Sequence, residues 1–293
     1  MKNFIFNNYD INIKDIYKYN GNYYFFVNDE KVYIVKYKGK EEYLEKLFDL
    51  TNDLYYKNIL VNTFILNNRN QFYTMKADSY IILMKENNNY TNIELNDLFK
   101  FININTSLDS YNIISEWSSE IDTLEQELIE YNKEYSIIQN SIDYFIGIAE
   151  NAIELMNNYK DLIDINNNSI GHKVSYKLFE RNTLYNPFLF IKTNRMYDIS
   201  NYIKYKFVNN NIDYNEIGDI FRMCNEYEES FLFACLMFPS NYFDLVKKVL
   251  IKEESEDKIM FYINRIDKYK DLLVYCKSLV KNNINIKLIN WIK

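Results

Sequence analysis

Tyr144-Phe-Ile-Gly-Ile-Ala-Glu-Asn-Ala-Ile-Glu-Leu-Met156 is the stretch around which the rest of the chain is read. Its apolar residues Phe145, Ile148, Ala149, Ala152, Ile153 and Met156 recur three and four positions apart, the spacing of one buried helix face. Glu150, Asn151 and Glu154 are left for the other faces. The stretch therefore reads as a central core helix that packs and carries no chemistry of its own. Chemistry is to be sought on either side of it.

Upstream, Ser110 to Tyr135 is patterned as a long helix containing Trp117-Ser-Ser-Glu-Ile-Asp-Thr-Leu-Glu125, and Asn96 to Ile104 as a weaker one. Downstream comes a break at Asn166-Asn-Asn-Ser-Ile-Gly171. Two short strands follow, Lys173 to Phe179 and Phe188 to Ile191. Tyr197 to Val208, Tyr214 to Tyr227, Ser230 to Met237, Tyr242 to Ile251 and Asp257 to Val280 then read as helices. Pro239, lacking the N–H that a continuing helix needs, should end one helix and start the next.

The first 85 residues have a different period, mainly two. Ile11 to Tyr17, Tyr23 to Val27 and Val32 to Tyr37 are strand-like runs separated by Asn20-Gly21 and Asn28-Asp29, which are hairpin signals. Glu41 to Tyr56 is a helix, and Leu60 to Leu66, Gln71 to Met75 and Tyr80 to Met84 return to strands. The expected product is a five- or six-stranded antiparallel sheet carrying a single helix. The polar stretch Lys85 to Asn92 is the expected link, which gives an α+β chain of two lobes, residues 1–88 and 89–293.

Composition bounds function. Apolar residues make up 48%, with 29 Tyr and 20 Phe, which suits packed cores rather than disorder. Five Gly and two Pro leave the turns to Asn. A net charge of −7 argues against a nucleic-acid partner, which would require a cationic face. Cys224, Cys235 and Cys276 are odd in number and lack CxxC spacing, so they read as reduced or buried thiols in a cytosolic compartment. With His172 the only histidine, a Cys/His zinc site is not expected. The first residues turn polar too soon for a signal peptide, and no apolar run reaches ~18 residues. The expectation is a protein made in the cytoplasm with no integral membrane segment.

A small sheet with one helix, a hinge and a helical lobe interrupted by two short strands resembles the protein-kinase-like fold in its aminoglycoside-phosphotransferase branch. More narrowly, the chain resembles the CotS-type spore coat proteins and, within them, the YutH-like family. The residues that carry the resemblance are Trp117 to Glu125, Tyr144 to Met156, Pro187-Phe188, Arg195-Met-Tyr-Asp-Ile-Ser-Asn-Tyr-Ile203 and Phe231-Leu-Phe-Ala-Cys-Leu-Met-Phe-Pro-Ser-Asn-Tyr-Phe243. They span most of residues 110–250; the first lobe matches in layout only.

The resemblance tells where phosphotransferase parts should stand. Phosphoryl transfer needs a lysine and backbone donors on the phosphates, an acid to orient the acceptor hydroxyl, and oxygens to hold magnesium. Lys36, at the end of Val32-Tyr-Ile-Val-Lys36, stands where the phosphate-contacting lysine would be. The alternative is a solvated strand-end lysine. Tyr19-Asn-Gly-Asn-Tyr23 has one glycine and no phosphate-cradling loop. His172 is similar to the histidine that opens the catalytic loop, but the position of the acid is Val174 and that of the magnesium-binding Asn is Phe179. Where a metal-binding aspartate should follow a strand, the chain reads Phe190-Ile-Lys-Thr-Asn194, and Lys192 would repel Mg²⁺. Glu180 is the only acid between Gly171 and Asp198. Asp198 matches the aspartate that begins the helix after the metal site, and reads as a helix cap or first-turn acid. His172, with no acid or cysteine near it in sequence, reads as a hydrogen-bonded core or pocket histidine.

The resemblance thus implies no catalytic residue, no metal and no cofactor, with Lys36, His172, Glu180, Lys192 and Asp198 as vestigial cleft candidates. The first reading is a non-catalytic, kinase-like spore coat or coat-assembly protein whose partners are other spore coat proteins, assembled on the forespore or spore coat. Two others stand beside it: a phosphotransferase on a small hydroxyl or amine substrate, using Glu180 or an acid from elsewhere, and a nucleotide- or metabolite-binding pseudokinase. No particular small-molecule ligand is implied.

Overall fold

The structure, a computed structural model, describes residues 1–19, 21–87, 93–130, 134–173 and 183–281. The boundary expected at 88/89 lies outside the described residues. The chain forms two compact units: Met1–Glu94 with Thr106–Asp109 and Glu180–Phe190, and the remaining segments from Leu95–Asn105 through Ile191–Lys293.

The first unit runs α1 (Lys2–Tyr9), β1 (Tyr17–Tyr19), β2 (Asn22–Val27), β3 (Glu30–Tyr37), α2 (Glu41–Tyr56), β4 (Thr63–Ile65), β5 (Thr74–Lys76) and β6 (Ser79–Lys85). The sheet is antiparallel, in the order β1-β2-β3-β6-β4, with β5 also on β6. Asn28 and Asp29 both take positive φ, 48° and 66°, the backbone of a type I′ hairpin turn between β2 and β3. The run Ile81-Ile-Leu-Met84 is buried on both sides of the pleat. Ile81 and Leu83 join Phe25, Val32 and Ile34 in one cluster, whereas Ile82 and Met84 join Leu44 of α2 in another.

Two expectations fail in this unit. The sheet carries two helices, because α1 covers the face opposite α2: Ile5 and Tyr9, one turn apart, pack on the Phe25–Val32 cluster. The Tyr9 hydroxyl also donates to the Ile81 carbonyl at 3.1 Å. The first strand is Tyr17–Tyr19, not Ile11 to Tyr17, since Ile13 is used as a core plug ahead of the sheet.

The second unit contains α3 (Leu95–Phe99), α4 (Ile113–Glu130), α5 (Ser136–Asn157), α6 (Ile163–Asn166), β7 (Ser169–His172), β8 (Phe190–Thr193), α7 (Met196–Val208), α8 (Tyr214–Arg222), α9 (Glu226–Met237), α10 (Ser240–Leu250), α11 (Met260–Ile263) and α12 (Ile266–Leu279). The central stretch lies within α5, where Leu155 rather than Ile153 completes the buried face. Trp117, 5% exposed, stacks on Phe238 with centroids 4.3 Å apart. Phe145 stacks on Tyr242 at 3.7 Å, and the Tyr242 hydroxyl is 2.7 Å from Ser141 Oγ one turn earlier on α5. Every residue of α9 from Tyr227 onward is buried, so this helix forms the inside of the unit, apolar from Phe231 onward and charged in its first turn at Glu228 and Glu229. Pro239 separates α9 from α10, as a residue without an N–H must.

A strand lies at Ser169–His172, inside the stretch read as a break; the strand expected at Lys173 to Phe179 falls, beyond Lys173, outside the described residues. The long helix expected over Asp257 to Val280 is three pieces, Glu256–Ile259 (a 3₁₀ turn), α11 and α12. Part of the reason is capping at a distance: Glu256 Oε1 accepts the backbone N–H groups of Ile137 (2.7 Å) and Ile138 (3.0 Å), satisfying the start of α5, which has no side-chain cap of its own. Tyr214 to Tyr227 divides into α8 and the first turn of α9, where Asn225 and Glu228 form a capping box.

Candidate functional site

β7 and β8 form a two-stranded sheet in the second unit, and the last residue of β7 is His172. Gly171 is required there by close approach, because a Cβ would lie 2.4 Å from Thr193 Cγ2. After β8, Asn194 turns the chain into α7: its Oδ1 accepts from Met196 N at 2.9 Å and its carbonyl from Tyr197 N at 3.0 Å. That turn brings Asp198 back over β7. Its Oδ1 accepts the His172 backbone N–H at 3.0 Å, and its Oδ2 lies 2.6 Å from His172 Nδ1. Both residues are buried, at 2% exposed for His172 and 6% for Asp198, and Phe101 meets the imidazole edge-on at 5.0 Å.

Of the two roles the sequence suggested, Asp198 is the first-turn acid of α7 and not its cap, while the Asn194 side chain accepts the Met196 N–H. The carboxylate instead ties the end of β7 to the first turn of α7. An ionised Asp198 accepting from Nδ1–H fixes the imidazole tautomer and orientation, the way a carboxylate orients a histidine wherever the two meet. His172 has an acid partner after all, supplied from 26 residues away.

The other sequence candidates are placed as follows. Lys192 is half-buried on β8, where its carbonyl accepts Tyr111 N at 2.8 Å. Lys36 is exposed on β3, opposite Ile81. By the alternation of the pleat it shares the face of Val32 and Ile34, whereas Val35 and Tyr37 pack with Leu44 of α2. The acids of α2, Glu45 and Asp49 included, are thus on the other side of the sheet, and among the described residues none forms an ion pair with Lys36. Glu180, Val174 and Phe179 lie outside the described residues.

Glu226, Glu228 and Glu229, the acids in the first turn of α9, differ in their engagement. Glu226 is exposed. Glu228 takes Arg195 in a two-pronged pair, Nε to Oε1 at 2.7 Å and Nη2 to Oε2 at 2.9 Å, and also accepts from Asn225 N. Glu229 is 2.8 Å from Lys281 Nζ and accepts its backbone N–H at 2.9 Å. Among the described residues, no three His, Cys, Asp or Glu side chains are grouped to hold a metal ion.

Sequence reasoning missed two charged groups inside the second unit. Lys204 is 8% exposed, and Asp244 on α10 is pushed up to about 7, chiefly by burial and secondly by Glu120. A carboxyl whose folded pKa exceeds its ordinary 3.8 holds a proton in the native state over the interval between them, so it makes stability fall as pH rises from about 4 to 7. Asp244→Asn should remove this dependence and be more stable than the parent at pH 8 by roughly 1 to 3 kcal/mol. Urea unfolding at pH 5 and pH 8 checks it; a parent–variant gap that does not widen at pH 8 would refute it.

Comparison with known proteins gives consistent results. A family model described as “Spore coat putative kinase YutH” matches residues 2–273. “Endospore coat-associated protein YutH” of Bacillus subtilis (strain 168) is 26% identical over 153 residues, 45% of this chain and 44% of that protein, so the match spans less than half of the curated relative. An aminoglycoside phosphotransferase from Alicyclobacillus acidocaldarius subsp. acidocaldarius DSM 446 superposes with a TM-score of 0.65 at 12% identity, over 93% of this chain and 94% of that one. A spectinomycin phosphotransferase in complex with ADP and spectinomycin superposes with a TM-score of 0.57 at 10% identity, over 98% and 95%. At such identities the likeness shows the fold alone: a kinase-like fold of the aminoglycoside-phosphotransferase type, with an N-terminal antiparallel sheet and a helical C-terminal lobe. Among the described residues, no helix is long and apolar enough to cross a membrane.

Proposed function

We propose a non-catalytic role for this chain, which belongs to the family described as “Spore coat putative kinase YutH”: a kinase-like protein of the spore coat, or of coat assembly, that acts through contacts with other coat proteins. It is made in the cytoplasm and assembled on the forespore or spore surface, as the coat association in the name of the Bacillus subtilis relative suggests. The two lobes divide at residues 88/89. Lys36, His172, Glu180, Lys192 and Asp198 are remnants of phosphotransferase machinery, kept for structure.

One observation carries this reading. Asp198, buried beside the strand of His172, has both oxygens engaged by that one residue. The segment Phe190 to Asn194 before it contributes no acid at all. Lys36, on the sheet face away from α2, supports the same conclusion, since a phosphate-contacting lysine is held in place by a helix carboxylate. Positioning and charge stabilisation are nearly all that a protein contributes to phosphoryl transfer, so losing the base and the metal ligands removes most of the rate.

The test is calorimetric titration with ATP, with and without Mg²⁺, together with a turnover assay on small hydroxyl and amine acceptors. The expected result is no Mg²⁺-dependent binding and no turnover. Turnover that needs Mg²⁺ and disappears in Glu180→Gln would overturn the proposal in favour of a phosphotransferase. Metal-independent nucleotide binding without turnover would replace it with a nucleotide-binding pseudokinase.

A further inference from the structure

The first unit has a groove of about 630 Å³ that none of the preceding argument uses. Its described lining residues come from β2, β3, the turn between them, and the end of β6 with the two residues after it. Register explains the lining. Tyr24 faces Tyr33 across the β2–β3 ladder and Phe26 faces Lys31. Lys85 pairs with Val32, so Glu86, one residue on, falls on the side of Lys31 and Phe26, and its N–H donates to the Lys31 carbonyl at 2.9 Å. α2 covers this side of the sheet as far as Tyr33 and Met84. Beyond them the rings are open to water: Tyr17 is 45% exposed and Phe26 50%. With Tyr24 they form a packed aromatic trio, Tyr17 stacked on Tyr24 at 5.4 Å and Phe26 edge-on to both.

Glu86 is the group at odds with its surroundings. Its side chain is 2% exposed, yet Oε1 has no hydrogen-bond partner among the described residues. A buried polar atom without a partner is costly, the more so on a carboxylate. The Lys31 ammonium is 3.7 Å from Oε2, beyond a hydrogen bond. It donates instead to the Tyr33 hydroxyl at 2.7 Å and lies 4.6 Å from the ring centroids of both Tyr24 and Tyr33. These rings therefore already hold a cation, but one that leaves the carboxylate beside it underused. Among the described lining residues, Asp29, Glu30 and Glu86 also outnumber Lys31 and Lys85, and Lys85 is paired with Glu30 at 2.6 Å.

We propose that this groove binds a guanidinium group, which takes the place of the Lys31 ammonium, donates a pair of N–H groups to Glu86 and lays its plane against Tyr24 beside Phe26. A guanidinium meets both demands at once. Its edge is a fixed fork of donors that matches a carboxylate, and its face stacks on aromatic rings with little hydration to lose. An ammonium has no such face, and Lys31 shows the result: its charge meets the rings while Oε1 goes without a donor. The Lys31 side chain, already 20% exposed, turns outward to water when it is displaced. The guanidinium belongs either to a free small molecule or to an arginine of another protein. The site lies within the first unit, and its failure would leave the spore-coat reading untouched.

Saturation-transfer NMR on the full chain at pH 7 compares n-butylguanidinium with n-butylammonium and the uncharged n-butylurea. The expected result is saturable binding of butylguanidinium, about ten-fold tighter than that of either analogue, the difference that one charge-assisted hydrogen bond makes. Glu86→Gln should weaken butylguanidinium about ten-fold and leave butylurea within about two-fold. Lys31→Met keeps the apolar stem on the rings, removes the resident ammonium and should tighten butylguanidinium by about three-fold. A gain of that kind cannot come from a damaged fold. Acetyl-Gly-Arg-Gly-amide binding as tightly as butylguanidinium assigns the group to a protein side chain, whereas binding of butylguanidinium alone assigns it to a free small molecule. Butylguanidinium no tighter than butylurea, full affinity in a folded Glu86→Gln protein, or unchanged affinity in Lys31→Met would each overturn the proposal.

Discussion

Phe145→Ala should lower the free energy of unfolding by about 3 to 5 kcal/mol, the range for truncating a large buried aromatic side chain. The ring is 3% exposed and lies 3.7 Å from that of Tyr242, tilted by 19°. Two terms add: the lost transfer of the ring from water, and the void left behind. Collapse is restricted because Tyr242 is anchored by its hydroxyl to Ser141, which sits on the same helix as the deleted ring. Phe145→Leu keeps most of the volume and should cost only about 1 to 1.5 kcal/mol. Urea denaturation followed by circular dichroism measures both, and an alanine variant within ~1 kcal/mol of the parent would mean that the ring is not a core element.

Asp198→Ala should cost about 2 to 4 kcal/mol, because it strands a backbone N–H and a ring nitrogen of His172 in a buried place. Asp198→Asn is the more informative change. Its amide oxygen can still accept the backbone N–H, but its NH₂ can only donate to the ring, so Nδ1 must become an acceptor and the proton must move to Nε2. The loss in stability should be about 1 kcal/mol. The chain has one histidine, so ¹⁵N imidazole spectra need no assignment. They should show a proton on Nδ1 in the parent and on Nε2 in the asparagine variant. An unchanged tautomer would show that Asp198 does not orient the ring.

Much of the fold was legible where local pattern and tertiary role agree. Glu41 to Tyr56 is helical over the residues its period suggests, since Leu44, Leu47 and Leu54 form one stripe with acids elsewhere. Asn28-Asp29 marked its hairpin because few residues accept positive φ twice in succession. Lys2–Tyr9 was missed because three Asn and little periodicity give it no helical signature; only the sheet face beneath Ile5 and Tyr9 makes it a helix. Ser-Ile-Gly-His172 looked like punctuation because its glycine serves a close contact with Thr193 that is not written nearby in the chain. The candidate residues fared similarly. His172 and Asp198 were named singly, but their pairing depends on the turn at Asn194. The burial of Lys204 is legible only once α9 and α10 are folded around it.

The strand β6 has a consequence for the order in which the chain can fold as it leaves the ribosome. Three strands, β3, β4 and β5, pair with it, yet it is the last strand of its sheet to be made. A nascent chain that has emerged as far as Tyr37 holds α1 and the β1–β3 meander, with the edge of β3 bare and the face that α2 covers still open. Nor does the release of residue 85 complete the unit. Phe188 packs against Tyr37 and Phe64, with ring centroids 6.1 Å away in each case, so the first lobe waits for a segment made about a hundred residues later. The first lobe is therefore completed only after a large part of the second has already been made, unlike chains whose first domain is finished before the second begins.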